Sequence, residues 1–237
     1  MGADDELIPL VTSVNVACGM HAGDPVTIER TIARAIECGA AVGAHPGYPD
    51  LAGFGRRELD MAPDELAATI VYQVGAVDAF ARSAGTRLRH VKPHGALYNR
   101  AARDPAVAEI VTRAVGRVLP YGILVGLAGG ALVEAGRALG LRVAAEAFAD
   151  RVYEPDASLR SRRLPGAMVA TPEAAAAQAV SIARDGRVAL PGGGDVAVVA
   201  DTICVHGDTP GAVEYARAIR SALEAAGVRI EPLASAG

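Results

Sequence analysis

Apolar and polar positions follow two alternating patterns along the chain. Short runs rich in β-branched or small residues are separated by longer segments in which apolar residues recur every third or fourth position, as Ile28, Ile32 and Ile36 do. The first pattern is typical of strands and the second of helices with one buried face, so the alternation predicts an α/β fold with a mostly parallel sheet. The predicted strands are Val11–Cys18, Ala40–His45, Leu88–Lys92, Gly122–Leu127, Arg142–Phe148, Ala167–Ala170 and Val196–Val205.

The boundaries of the predicted helices are marked by residues with strong positional preferences. Four helices are expected to begin where a capping side chain precedes a proline, at Asp24-Pro25, Asp104-Pro105, Thr171-Pro172 and Thr209-Pro210. Helices are expected to end at glycines that can take the left-handed conformation, at Gly39, Gly85, Gly140, Gly186 and Gly227. No linker or low-complexity tract interrupts the alternation, so we interpret residues 1–237 as a single domain.

Composition and charge exclude several classes of protein. Hydrophobic residues make up 51% of the 237 residues, which is enough for a sizeable core. The net charge of −4 comes without a basic stripe, so neither nucleic acid nor an anionic membrane surface is an expected partner. No apolar run reaches the roughly 18 residues of a membrane span. The N-terminus lacks a signal-peptide pattern, so we expect a cytoplasmic protein.

Polar residues fall at or just beyond the C-terminal ends of five predicted strands. They are Asn15 and His21, His45, His94, Glu146 and Asp150, and His206 and Asp208. In a closed barrel such strand ends meet at one mouth, whereas in an open sheet they are spread along an edge. The sequence therefore favours a β/α barrel over an open doubly wound sheet.

The densest group of these residues is the segment 89–99, Arg-His-Val-Lys-Pro-His-Gly-Ala-Leu-Tyr-Asn. Pro93 ends a strand-like run, and Lys92, His94, Tyr98 and Asn99 lie at this break or in the loop predicted to follow it. Polar groups that would be costly in a core are concentrated here, which is typical of a functional site. The alternative is a polar loop with one hydrogen-bonded histidine.

Two further strand ends carry acidic groups. Glu146 and Asp150 share the parity of one strand face, and Arg151 follows directly. Lys92 is expected either to pair with one of these carboxylates or to meet an anionic substrate group. Asp208 shares the parity of His206, just beyond the last predicted strand, which ends at Val205.

Four histidines follow predicted strands: His21, His45, His94 and His206. They could ligate a divalent metal, with Asp24, Asp50 or Asp208 supplying a carboxylate, or act as general acids and bases. No HExxH motif is present, so the metal signal is unspecific. Asp24 and Asp208 could instead cap helices. His90, within a strand, is interpreted as a core or wall residue.

Glycines and arginines in the predicted loops suggest anion recognition only weakly. Gly126, Gly129 and Gly130 could cradle an anion at a helix start, or could simply form a tight turn. The segment 192–195, Gly-Gly-Gly-Asp, is interpreted as a flexible loop and a candidate lid. The arginines that could clamp a carboxylate or phosphate are Arg56, Arg57, Arg160, Arg162 and Arg163.

Six ordered motifs give the chain a specific resemblance to a known family. They are Ser13-Val-Asn-Val-Ala-Cys-Gly-Met-His-Ala-Gly-Asp24, Gly43-Ala-His-Pro-Gly-Tyr-Pro-Asp50, Gly53-Phe-Gly-Arg-Arg57, Lys92-Pro-His-Gly-Ala-Leu-Tyr-Asn99, Phe148-Ala-Asp-Arg-Val-Tyr153 and Cys204-Val-His-Gly-Asp208. Together they resemble the LamB/YcsF family. The resemblance implies a seven-stranded β/α (TIM-like) barrel related to carbohydrate deacetylases. It also implies a role in the ATP-dependent opening of 5-oxo-L-proline to L-glutamate by a 5-oxoprolinase, together with partner subunits B and C.

The N-terminus departs from the family pattern. The family usually begins with a strand bearing Asp-Leu-Asn-x-Asp-Leu-Gly-Glu, and Met1-Gly-Ala-Asp-Asp-Glu6 offers nothing similar. The expectation is a barrel that lacks its first strand, with unpaired strand edges, impaired activity and oligomerisation across the gap.

The candidate site residues fall into two sets. The candidate catalytic residues are His45, Lys92, His94, Glu146, Asp150 and His206. The candidate substrate-binding residues are Asn15, His21, Asp24, Asp50, Arg57, Tyr98, Asn99, Arg151 and Asp208. Hydrolysis of a lactam activated by ATP needs a base for water, with His45 or His94 as first candidates, an acid for the ring nitrogen, and a cation such as Lys92 for the substrate carboxylate. The alternatives are a metal-dependent deacetylase or amidohydrolase that acts alone and a non-catalytic substrate-binding subunit.

Overall fold

The computed structural model describes residues 4–208 and 210–233. Its helices are α1 Asp4–Leu7, α2 Pro25–Glu37, α3 Pro63–Ser83, α4 Gly95–Arg103, α5 Pro105–Val118, α6 Ala131–Ala138, α7 Pro172–Asp185 and α8 Ala212–Ala225, with a 3-10 helix at Ile8–Leu10. Its strands are β1 Ser13–Ala17, β2 Ala41–His45, β3 His90–Val91, β4 Ile123–Leu127, β5 Arg142–Phe148, β6 Arg187–Ala189, β7 Asp195–Ala197 and β8 Thr202–Cys204. The described residues pack into two compact units, a first unit of 12–144 with 232–233 and a second unit of 4–11 with 145–231.

The first unit contains a parallel sheet. Strands β1, β2, β3 and β4 pair in that order, with Asn15 beside Gly43 and His90 beside Ile123. Helices α2 to α6 belong to this unit, and α3 packs against α5. Buried residues on these two helices include Ile70, Val74 and Val111. The α/β prediction is confirmed here, because parallel strands alternate with helices as the hydrophobic pattern indicates.

The second unit combines a parallel pair with a hairpin. The end of β5 pairs in parallel with β8, with Glu146 beside Thr202 and Phe148 beside Cys204. Strands β6 and β7 form a separate antiparallel hairpin. Helices α7 and α8 pack on each other around a small-residue core that includes Ala179, Ile219 and Leu223. The single-domain interpretation of residues 1–237 stays a prediction.

Most helix boundaries agree with the sequence. The side chains of Asp24, Asp104 and Thr171 accept hydrogen bonds from main-chain amides at the starts of α2, α5 and α7. The five glycines predicted to end helices all have positive φ, between 62° and 77°. Helix α8 begins at Ala212 after Gly211, two residues beyond the predicted Thr209-Pro210 start, and Thr209 lies outside the described residues.

Two strand predictions are wrong. Residues 167–170 form an isolated bridge through Met168 and no strand. The predicted strand Val196–Val205 is two strands, because its first part turns back to pair with β6. Residues 192–194 lie in the turn of that hairpin and Asp195 begins β7, with Gly193 and Gly194 at φ of 91° and 79°. A role of this turn as a lid stays a prediction. Three glycines permit this turn as readily as they permit a flexible loop.

The residues after Pro93 were expected to form a loop, but they form helix α4. His94 is its N-cap residue in extended conformation, and Gly95 begins the helix. Tyr98 therefore lies on a helix, where it is buried, and Asn99 is exposed beside it. The His-Gly pair that follows the proline has no strong helical preference, so the sequence by itself favours a loop at this point.

The contact between β2 and β3 depends on a glycine. A Cβ atom added at Gly43 would lie 2.0 Å from Nε2 of His90, and the His90 ring is buried. His90 Nε2 is also 3.0 Å from Oδ1 of Asn15, so the ring has little room to move. The close approach of β2 to the His90 ring therefore requires glycine, which has no Cβ, at position 43.

We predict that Gly43→Ala lowers the free energy of unfolding by about 1–3 kcal/mol, because the added methyl group overpacks a buried ring. The matched control is Gly75→Ala in α3, where an added Cβ meets nothing within 4 Å. That control is expected to raise stability by roughly 0.5–1 kcal/mol, since alanine is the better helix former. Urea unfolding followed by circular dichroism measures both, and equal effects of the two substitutions would contradict the packing argument.

Candidate functional site

Three imidazole rings form a cluster in the first unit. His21 follows β1, His45 ends β2 and His94 precedes α4. The rings of His21 and His94 are stacked, with centroids 4.0 Å apart and an interplanar angle of 4°. His45 meets His94 edge-on at 4.8 Å and lies 6.0 Å from His21. The structure thus brings together three of the four predicted histidines, which we call the histidine cluster.

A chain of hydrogen bonds runs through the cluster. Nδ1 of His45 lies 2.6 Å from the carbonyl oxygen of Lys92, and Nε2 of His45 lies 3.1 Å from Nδ1 of His94. Nε2 of His94 lies 2.8 Å from the carbonyl oxygen of Phe54. Both nitrogens of His45 and both of His94 are therefore engaged, so neither ring leaves a nitrogen for a water molecule while this chain is intact.

Burial keeps two rings of the cluster uncharged. Burial, aided by the nearby His94, lowers the pKa of His21 to about 3. Burial also lowers the pKa of His45 well below the usual value, and the neighbouring His94 and Lys92 add to this effect. The same holds for His90, since burial and Lys92 lower its pKa to about 4. At neutral pH these three rings are neutral hydrogen-bonding groups.

A turn of residues 50–57 covers the cluster. The buried carboxylate of Asp50 accepts hydrogen bonds from the amides of Gly53, at 2.9 Å, and Arg57, at 3.3 Å, and it pairs with the Arg57 guanidinium. Phe54 at the tip has a left-handed φ of 55°, an uncommon conformation for a residue with a side chain. Its ring lies edge-on to His94 at 5.3 Å, so Asp50 positions the residue that contacts the cluster.

Gln73 holds the other side of the cluster. Its side-chain amide is fully buried, accepts from the amide of Gly47 at 3.0 Å and donates to the carbonyl of Gly47 at 2.8 Å. Gly47 passes close to His21, since an added Cβ would lie 2.8 Å from Nδ1 of that ring. Sequence reasoning missed Gln73 and Phe54. A glutamine between Ile70, Val74 and Val77 on the apolar face of α3 was the signal available.

The second unit contains an Asp-His pair. Asp150 follows β5 and is 1% exposed, and its carboxylate accepts from Nδ1 of His206 at 2.8 Å and from the main-chain amide of His206 at 3.1 Å. Burial acts to raise the pKa of Asp150, but the hydrogen bonds from His206 outweigh it and the pKa is lowered. The His206 ring stacks on Phe148 at 5.4 Å. This arrangement orients an imidazole through its Nδ1 and leaves Nε2 as its proton acceptor.

Two polar side chains, those of Gln178 and Arg151, hold the end of β5. Nε2 of Gln178 donates to the carbonyls of Phe148 and Arg151, both at 2.8 Å, and lies 3.2 Å from that of Ala149. The Arg151 guanidinium donates to the carbonyls of Ala167 and Arg160. These contacts fix the chain on both sides of Asp150. Sequence reasoning missed Gln178, which is a polar residue in an alanine-rich helix.

The whole chain is similar to proteins of a known family. The family model described as the LamB/YcsF family matches residues 1–237. The chain belongs to the LamB/YcsF family. It is 56% identical over 230 residues to the 5-oxoprolinase A subunit of Chloroflexus aggregans, covering 97% of this chain and 91% of that protein. It is 50% identical over 231 residues to the protein of the same name from Heliobacterium modesticaldum, covering 98% and 91%.

One solved structure is similar to nearly the whole of this LamB/YcsF chain. It is the lactam utilization protein from Thermus thermophilus, with a TM-score of 0.93 and 47% identity, covering 98% of this chain and 93% of that one. The likeness supports the α/β assignment over nearly all of the chain. The closed barrel, the relation to deacetylases and the missing first strand stay predictions for this family member.

Several predicted site residues of this LamB/YcsF protein have structural partners. Asp24 is exposed and caps α2, accepting from the amides of Val26 and Thr27, so its capping role is confirmed. Arg57 pairs with Asp50, and Arg160 pairs with Glu154. Gly130 is the N-cap of α6 and its amide bonds to Leu127, as expected of the tight turn. Roles of Asp24 and Arg57 in substrate binding stay predictions.

The remaining candidates differ in exposure. Lys92 is buried with Nζ 5.6 Å from the centre of the Tyr98 ring, and Glu146 is buried on β5. Asn15, Asn99 and Asp208 are exposed. In residues 4–208 and 210–233, no group of three or more His, Cys, Asp or Glu side chains has a geometry that could hold a metal ion. Within the same residues, no helix is long and apolar enough to cross a membrane.

We predict that Asp50→Asn lowers the melting temperature at pH 6 and lowers it much less at pH 2. Hydrogen bonds from Arg57 above all hold the pKa of Asp50 at about 2, against an ordinary value of 3.8. A carboxylate with a depressed pKa stabilises the fold above its unfolded pKa and loses this contribution as the pH falls through its folded pKa. The difference in melting temperature between wild type and variant should therefore be full above about pH 4 and shrink toward pH 2.

Thermal unfolding followed by circular dichroism at a series of pH values measures this difference. The control is Asp60→Asn, an exposed carboxylate beyond the same turn. It should leave the melting temperature unchanged across the series. A gap between wild type and Asp50→Asn that is constant with pH would rule out the ionised Asp50 carboxylate as its source.

Proposed function

We propose that this protein is the A subunit of a 5-oxoprolinase, which acts together with subunits B and C. The complex converts 5-oxo-L-proline to L-glutamate with consumption of ATP, and in this proposal the A subunit catalyses the hydrolytic step. Relatives with this subunit name are 50% and 56% identical over nearly the whole chain, and the solved relative is named for lactam utilization. 5-Oxo-L-proline is a five-membered lactam, so the two names describe one chemistry.

The reaction sets clear chemical demands. The lactam amide is stabilised by resonance, so ATP activates its carbonyl oxygen as a phosphorylated imidate with release of ADP. Water then adds to the carbonyl carbon, the ring C–N bond breaks and the nitrogen leaves as an amine with an added proton. A second water molecule releases phosphate from the resulting acyl phosphate. Each addition of water needs a group that accepts a proton.

The Asp150–His206 pair is the observation that supports a catalytic role. His206 donates through Nδ1 to a buried carboxylate, so its Nε2 is the nitrogen that can accept a proton from water. His45 and His94 were the first candidates for this base, but each uses both ring nitrogens in hydrogen bonds. We therefore assign the base to His206 and its orientation to Asp150.

We predict that His206→Gln and Asp150→Asn each lower kcat of the assembled enzyme by roughly 10²–10⁴-fold, because loss of an oriented general base has effects of this size. KM for 5-oxo-L-proline should change little. The measurement is ATP-dependent formation of glutamate with subunits B and C present. Asp185→Asn, an exposed carboxylate at the end of α7, serves as control and should retain full activity.

Circular dichroism confirms the fold of each variant before activity is compared. Turnover within about threefold of wild type in folded His206→Gln would refute the assignment, since acid–base catalysis contributes at least about 10²-fold. A loss of turnover on treatment with a chelator, in the presence of excess Mg²⁺ for ATP, would favour the metal-dependent alternative.

A further inference from the structure

Two main-chain carbonyl groups fix the position of one hydrogen on each of two rings of the histidine cluster. A carbonyl oxygen can only accept a hydrogen bond, so a ring nitrogen that bonds to one must carry hydrogen. Nδ1 of His45 bonds to the carbonyl of Lys92 at 2.6 Å, and Nε2 of His94 bonds to the carbonyl of Phe54 at 2.8 Å. Each ring therefore has one nitrogen whose hydrogen is already assigned.

The other two nitrogens face each other. Nε2 of His45 and Nδ1 of His94 are 3.1 Å apart, which is a normal hydrogen-bond distance. A neutral imidazole carries a single N–H, so two neutral rings would direct two lone pairs at each other across this gap. That contact is repulsive, whereas one additional hydrogen converts it into a charge-assisted hydrogen bond.

We propose that the His45–His94 pair binds one extra proton, so that His94 is an imidazolium ion that donates through Nδ1 to His45 and through Nε2 to Phe54. The pair is then a buried site of a single positive charge, assembled from residues that are 49 positions apart.

The surroundings place the charge on His94 rather than on His45. The pKa of His45 is lowered by burial first and then by His94 and Lys92, so a charge on His45 is the less stable arrangement. His21 stacks on the face of His94 at 4.0 Å and is neutral, which permits a cation beside it. Two cations of the first unit lie close to the cluster: Arg56, whose guanidinium lies over the Phe54 ring, and Lys92, whose charge acts on His45.

Main-chain oxygens offset the unfavourable charges. The N-terminus of α4 disfavours a cation at its N-cap His94, and Arg56 and Lys92 act in the same direction. Against these, the Phe54 carbonyl accepts from the His94 ring, and the Gly55 carbonyl accepts from the Ala96 amide at 2.9 Å, which screens the helix end. The turn 50–57 thus directs two consecutive carbonyl oxygens at this position.

A proton fits the site better than a metal ion. Two imidazole nitrogens 3.1 Å apart could share a metal, but a metal needs further ligands. The ring of His21 is parallel to that of His94 and displaced from it by stacking, so the in-plane lone pairs of His21 cannot converge on a point between His45 and His94. No third ligand group is found in residues 4–208 and 210–233.

The test is the nitrogen NMR spectrum of the full chain labelled with ¹⁵N-histidine, recorded at about pH 7.5 without substrate or nucleotide. A neutral imidazole has one protonated and one bare nitrogen, whereas an imidazolium ion has two protonated nitrogens, and the spectrum distinguishes these patterns. His94 should show two protonated nitrogens, His45 one protonated and one bare nitrogen, and His21 a neutral ring. Signals are assigned by their loss in single histidine variants. His45→Ala removes the acceptor and should convert most of His94 to the neutral pattern at the same pH, while Asp185→Asn should leave the spectrum unchanged.

Neutral patterns for both His45 and His94 in the wild type would overturn the proposal. A spectrum that changes on dialysis against EDTA would also overturn it, by showing that a metal ion occupies the gap. If His45→Ala does not fold, the wild-type spectrum decides alone. The experiment needs no turnover, so its failure is distinguishable from failure of the proposed hydrolysis.

Discussion

The buried carboxylate of Asp50 is the constraint on which the histidine cluster depends. It satisfies the main-chain amides of Gly53 and Arg57 and pairs with the Arg57 side chain, so the turn 50–57 is closed by one acidic group. The closed turn holds Phe54 in a left-handed conformation that an unrestrained residue rarely adopts. The Phe54 carbonyl then fixes a hydrogen on Nε2 of His94, and Nδ1 of the same ring faces His45.

Much of the fold could be predicted from the sequence because its signals are local. Asp24, Asp104 and Thr171 mark helix starts through short-range hydrogen bonds, and Gly186 marks a helix end through its own φ. The two failures in strand assignment are non-local. Val196 pairs with Val188 in a hairpin, and no pattern within either segment specifies that partner.

The sequence predicted which histidines belong to the candidate site better than it predicted the contacts that they make. His21, His45 and His94 were selected because they follow strands, and parallel strands bring such residues to one edge. What could not be predicted is which groups bond to them. Phe54 acts through its carbonyl, which every residue has, and Gln73 and Gln178 act by binding main-chain groups far away in sequence. Such contacts depend on backbone positions and leave little trace in residue type.

The anchoring of the chain around Asp150 has a consequence for how this family can vary. The Gln178 carboxamide and the Arg151 guanidinium bind carbonyl groups at residues 148, 149, 151, 160 and 167, which lie on both sides of the stretch 152–166 or within it. Insertions or replacements near the tip of that stretch can therefore be absorbed without displacing the acid that orients His206. A segment that is held at its base by these hydrogen bonds can therefore change at its tip without moving Asp150.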